Sequence, residues 1–146
     1  MSSNETAADT AATMAHILGH CRTVAVVGLS PKPHRDSYEV SQYMQENGWR
    51  IIPVNPVAAA SGQPILGERV YATLTEAAAA ESIDLVDVFR NSADVPPVVD
   101  EAIAIGARAV WMQQGIAHEA AAQRARAAGL QVVENKCLMV EHARLR

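Results

Sequence analysis

The sequence predicts an α/β fold: a doubly wound, mostly parallel five-stranded sheet with helices on both faces. Two observations predict it. Five short, nearly continuous apolar runs alternate with alanine-rich segments along the chain, and strands apolar on both faces belong in a parallel sheet covered by helices. Three junctions, Gly48-Trp49-Arg50-Ile51, Gly106-Ala107-Arg108-Ala109 and Gly129-Leu130-Gln131-Val132, repeat one pattern. In each, a glycine ends a helix and a polar residue precedes an apolar strand. Crossovers between parallel strands are right-handed with rare exceptions.

In chain order, residues 1–8 read as a disordered tail and 9–20 as a leading helix. The first strand is TVAVVGL, 23–29. Asp36 with Glu39 fits a capping box, and Val40, Tyr43 and Met44 continue as an apolar stripe that stops at Gly48. RIIPVN, 50–55, is the second strand. Residues 57–72 have no clean period and read as a loop with one short strand. Thr73 with Glu76 marks another helix start before the third strand, LVDVF, 85–89. In NSADVPP, 91–97, polar caps precede prolines that a first helical turn tolerates. AVWMQ, 109–113, is the fourth strand, and His118 to Ala128 is an alanine-rich helix ending at Gly129. QVVEN, 131–135, is the fifth, followed by a last helix from about Cys137. No linker divides the chain, so 9–146 is expected to be one domain.

Composition excludes several classes. Apolar residues are 49% and charged residues 19% of the 146, which suits a soluble globular protein. A net charge of -4 and only 4% aromatics argue against nucleic acid as a partner. The opening MSSNETAADTAATMAH has neither the basic nor the apolar region of a secretory signal, and no apolar run approaches the ~18 residues of a membrane span. A cytoplasmic location without membrane contact is expected. Cys21 and Cys137 form no CxxC pair, so neither a zinc site nor a disulfide framework is indicated.

Open α/β sheets bind ligands off the carboxyl ends of their strands, near the point where strand order reverses. The loop after the first strand, in VAVVGLSPKPHRDS, is the most informative there. Gly28 suits a sharp turn or a close backbone approach. The helix starting near Asp36 presents free N–H groups and a positive dipole end. Lys32 and Arg35 add two cations, which makes a phosphate or pyrophosphate the natural guest. Pro31 and Pro33 stiffen the loop. It contains no GxxxxGK[ST], so it is not a nucleoside-triphosphatase loop. A dinucleotide fingerprint is also missing: only one glycine is present, and the second strand ends in Asn55-Pro56 without an acidic ribose clamp. His16, His20, His34, His118 and His142 lack metal-ligand spacing, so no metal is expected. Ser30 has no base beside it and Asp84 and Asp87 have no assignable carboxylate partner, so nothing demands catalysis.

The stretches VAVVGLSPKPHRDSYEVSQYM, GWRIIPVNP, VDVFRNSADVP, AIGARAVWMQQGI and AAGLQVVENKCLMVEH cover nearly everything from residue 22 onward. In their order and spacing the chain resembles the small stand-alone CoA-binding proteins of bacteria. These are similar to the N-terminal CoA-binding domain of the succinyl-CoA synthetase α subunit. The resemblance implies a Rossmann-like fold and coenzyme A or an acyl-CoA as the ligand. It implies that Gly28, Ser30, Lys32 and Arg35 contact the CoA phosphates, with Leu29 and Ser37 of the same loop. Val54, Asn55 and Pro56 would line the adenosine end, and Phe89 and Arg90 would flank the ligand. Trp111, Gln113 and Gly115 would lie toward the pantetheine, while Cys137 occupies a family-typical position. The synthetases work through a phosphohistidine on a further domain, absent from this sequence, so the resemblance implies binding rather than ligase activity. Two other readings stay open: a partner-dependent subunit or enzyme of acyl-CoA metabolism, and a module binding NAD or another nucleotide. Self-association into a homodimer is an expectation only.

Overall fold

The computed structural model describes residues 6–146. In chain order the elements are α1 (Ala7–His20), β1 (Thr23–Val27), α2 (Asp36–Glu46), β2 (Arg50–Val54), α3 (Pro56–Ser61), α4 (Leu74–Ala80), β3 (Leu85–Val88), α5 (Val95–Ala104), β4 (Ala109–Met112), α6 (Glu119–Ala127), β5 (Gln131–Val133) and α7 (Leu138–Arg144). A 3-10 turn over Ser92–Asp94 leads into α5. The five strands are all parallel, in the order β2-β1-β3-β4-β5. The winding therefore reverses between β1 and β3, the doubly wound, Rossmann-like arrangement.

Alternation along each strand explains the continuous apolar runs. Ala25, Val27, Val86, Val88 and Val110 face a layer with buried residues of α4, α5 and α6. Val24, Val26, Leu85, Ala109 and Trp111 face the opposite layer, with Ile17 of α1, Met44 of α2 and Leu138 of α7. Both faces are covered, so every strand position favours an apolar side chain.

The three glycine junctions have one geometry. Gly48, Gly106 and Gly129 adopt φ of 89°, 75° and 95°. After each, the next N–H reaches back five residues: Trp49 to the Met44 carbonyl, Ala107 to Ala102 and Leu130 to Ala125, at 3.1, 3.1 and 3.0 Å. This is a Schellman closure, and its apolar residue just past the glycine seals the core at the helix end.

Three expectations need correction. Ala7 and Ala8 belong to α1, whose start is closed by a capping box of Thr6 and Asp9. The expected disordered tail therefore extends too far, and its first five residues lie outside the described residues. Asp36 is not a capping residue: Arg35 holds the N-cap position of α2 without a side-chain cap. Asp36 lies inside the first turn, where the Glu39 N–H is already taken by the Arg35 carbonyl. The stretch 57–72 begins with α3, started by Asn55 accepting from the Val57 and Ala58 N–H groups and stopped at Gly62, φ 73°. Only isolated bridges, Ile65 with Glu68 and Val54 with Tyr71, represent the expected short strand.

Among the buried strand residues, one side chain breaks the apolar rule. Asp87 in β3 is fully buried, and among the described residues neither carboxylate oxygen has a partner in hydrogen-bond geometry. Burial pushes its carboxyl well above the ordinary aspartate value, and the nearby Val88 backbone N–H offsets this only in part. A raised carboxyl pKa means the folded state holds the proton over a range where the unfolded chain has lost it. Stability is then greatest in acid and falls as pH rises, by up to about 1.4 kcal/mol per pH unit, until the folded value is passed. Asp87→Asn keeps the shape but cannot ionise. Its stability advantage over the wild type should widen as pH rises above the ordinary aspartate range in urea titrations. Parallel curves would show that Asp87 does not carry this dependence.

Candidate phosphate-binding site at the strand crossover

The first loop leaves the sheet at the switch point. Gly28 turns out of β1 at φ 92°, and a Cβ there would run into the Phe89 carbonyl oxygen at the end of β3. Its N–H donates to the Val54 carbonyl at 2.9 Å, while the Phe89 N–H donates to the Val27 carbonyl at 2.9 Å. The exits of β1, β2 and β3 are thus bonded together, and only glycine fits the crossing point.

Beyond Gly28 the loop is held by its own polar groups. The Ser30 N–H donates to Ser37 Oγ at 3.0 Å, and the Lys32 N–H donates to Ser30 Oγ at 3.1 Å. Asn55 Nδ2 donates to the Leu29 carbonyl at 2.9 Å while its Oδ1 caps α3, so Asn55 braces the loop from the neighbouring strand. The backbone is in this way preset before any ligand arrives. Lys32, His34 and Arg35 are exposed, and Lys32 and Arg35 make no ion pair with any described residue. They stand beside the uncapped start of α2, whose N–H groups favour an anion. Asp36 on the same rim opposes them with a single negative charge.

Two adjoining cavities, each about 620 Å³, share Asp36 and Phe89. One is lined by Gly28, Ser30, Lys32, Arg35 and Ser37. The other is lined by Arg90, Gln113, Gly115, Cys137 and Met139, among others. Ten of the fourteen residues expected from the sequence therefore meet at one recess or brace it: Gly28, Ser30, Lys32, Arg35, Ser37, Phe89, Arg90, Gln113 and Gly115 as lining, and Asn55 as the brace. Pro56 lies elsewhere, on a third cavity of about 480 Å³ beside α3. Leu29, Val54 and Trp111 are buried. Trp111, expected toward the ligand, has 0% exposure because β4 turns it into the layer beneath α1, α2 and α7, and its indole N–H donates to the Lys136 carbonyl at 2.8 Å. It supports the last loop from below.

Cross-ties to which the sequence assigned no role complete the recess. Asn135, at φ 58°, accepts from the Gly115 N–H at 2.7 Å and ties the loops after β4 and β5. Ser92 Oγ accepts from the Ala117 N–H at 3.1 Å and ties the loops after β3 and β4. Helix α7, which contributes Met139, is anchored by a hydrogen bond between the Tyr43 hydroxyl and His142 Nδ1 at 2.9 Å. Burial, with Arg146 and Arg22 nearby, lowers the His142 pKa and favours the neutral imidazole. None of these cross-ties has a sequence signature, since each joins residues remote in the chain. No helix among the described residues is long and apolar enough to cross a membrane.

The model of a family described as a CoA binding domain matches residues 22–143. The uncharacterized protein YneT of Bacillus subtilis is 39% identical over 127 residues, spanning 87% of this chain and 90% of YneT. A solved protein from Thermus thermophilus superposes with a TM-score of 0.85 at 34% identity, covering 93% of this chain and 98% of that one. A hypothetical protein from Pyrococcus horikoshii OT3 has a TM-score of 0.85 and 34% identity, covering 98% and 94%.

Proposed function

Because the chain belongs to the CoA binding domain family, matched over residues 22–143, we propose that it binds coenzyme A or an acyl-CoA without transforming it. The phosphates sit on the Gly28–Ser37 loop, and the pantetheine arm runs past Phe89 into the adjoining cavity. The observation that carries this reading is the pair of cations, Lys32 and Arg35, without ion-pair partners among the described residues, beside the uncapped start of α2 at the switch point. An extended ligand with several phosphates uses both cations and the helix start together. The second cavity supplies apolar contact from Val40, Phe89 and Met139 and polar contact from Asn91 and Gln113, a mixture suited to an amide-containing arm.

Hydroxyls in the recess support binding over catalysis. Ser30, Ser37 and Ser92 each spend the side-chain oxygen on a backbone N–H, and among the described residues none is bonded to a base. Calorimetric titration tests the ligand directly. CoA and acetyl-CoA should bind with a Kd of about 1 μM or tighter, and NAD at least about tenfold more weakly. Tighter binding of NAD than of CoA would overturn the assignment and leave the fold intact.

A further inference from the structure

We infer that Cys137 captures the CoA sulfur by thiol–disulfide exchange, so that the site takes CoA disulfides as well as free CoA. The inference rests on reading the two cavities as a CoA site. Cys137 is partly exposed and lines the cavity on the far side of Phe89 from Lys32 and Arg35, where the arm of a phosphate-anchored CoA would end.

A second observation points to a ligand in the same cavity. Gln113 lines it and is 4% exposed. Its Oε1 accepts from the Leu138 N–H at 3.1 Å, while its Nε2 has no acceptor among the described residues. This amide donor, on a side chain that lines the cavity and is held at its oxygen end, is free to meet a carbonyl of a guest. Pantetheine carries two such carbonyls just before its sulfur. An arm held by Gln113 thus brings its terminal sulfur close to the only partly exposed thiol among the described residues.

The exchange needs a disulfide of CoA as co-reactant. The Cys137 thiolate attacks one sulfur of that disulfide, a new Sγ–S bond forms, and the original S–S bond breaks. Cys137 sulfur is oxidised, the departing CoA sulfur is reduced, and the departing thiolate takes up the proton that Cys137 lost. Free CoA reverses the step. Cys21 is an internal control: it is 2% exposed, and burial pushes its thiol up to about 11, so it should not react.

The test incubates the protein with CoA disulfide or cystamine and follows intact mass, with peptide mapping of the modified cysteine. The expected result is a single CoA adduct on Cys137, formed at least about tenfold faster than the cystamine adduct because the site positions the reactant. Cys137→Ser should abolish the adduct, and Lys32→Ala/Arg35→Ala should slow the reaction with CoA disulfide but not with cystamine. Equal rates for the two disulfides would overturn the inference, as would absence of an adduct in protein that binds CoA under reducing conditions. Absence of both adduct and binding would overturn the CoA reading itself.

Discussion

Gly28→Ala should cost about 3 kcal/mol of folding stability and lower Tm by about 6–12 °C. Two costs combine. At φ 92° a residue with a Cβ pays about 1–2 kcal/mol for the left-handed conformation. The new methyl also meets the Phe89 carbonyl oxygen, and forced overpacking adds about 1–3 kcal/mol. Relaxation is restricted because Gly28 is bonded to β2 through Val54 and Phe89 to β1 through Val27. Gly129→Ala separates the two costs. Gly129 has φ 95°, but nothing lies within 4 Å of its Cβ position, so that variant should lose only about 1 kcal/mol. Urea unfolding of both variants checks the difference. Equal losses would mean that the strand exits are not packed as tightly as the structure has them.

Legibility in the sequence followed the range of the interaction. Gly48, Gly106 and Gly129 announced their helix ends because a Schellman closure uses residues within five positions, and the strands they precede follow from local apolarity. The short α3 was missed, although Asn55, Pro56 and Gly62 carry its start and stop signals, because six residues give too little periodicity to stand out. Asp36 and Glu39 matched a capping box in spacing alone; where the chain enters α2 is decided by the Ser30–Ser37 bond, which pins the loop against the helix.

The candidate site divides in the same way. Lys32 and Arg35 were legible because a strand, a glycine and a cation-rich loop lie together in sequence. Trp111 was misplaced because strand alternation decides its face, and an apolar run buried on both sides hides that alternation. Asn135 and Ser92 act across loops, so their positioning roles emerge only when the strand ends converge. Asp87 reads in sequence as an ordinary polar residue, whereas the fold makes it a buried group without hydrogen-bond partners among the described residues.

Lys32→Ala/Arg35→Ala should weaken CoA binding by at least about 2 kcal/mol, roughly thirtyfold. A hydrogen bond to a charged group contributes about 1.5–3 kcal/mol, and the lower figure suits side chains as exposed as these. The wild-type affinity should fall as salt rises, and the variant should respond less, since two of the screened charges are gone. Folding should be almost untouched, because the two side chains are exposed and form no ion pairs with the described residues, and such surface changes stay within about 0.5 kcal/mol. The decisive measurement is therefore a calorimetric titration of CoA into the wild type and this double variant, side by side, with Tm recorded for both. Micromolar binding that drops at least about thirtyfold in a variant of unchanged Tm is the predicted result. Equal CoA affinity in the two folded proteins would contradict a phosphate site on the Gly28–Ser37 loop.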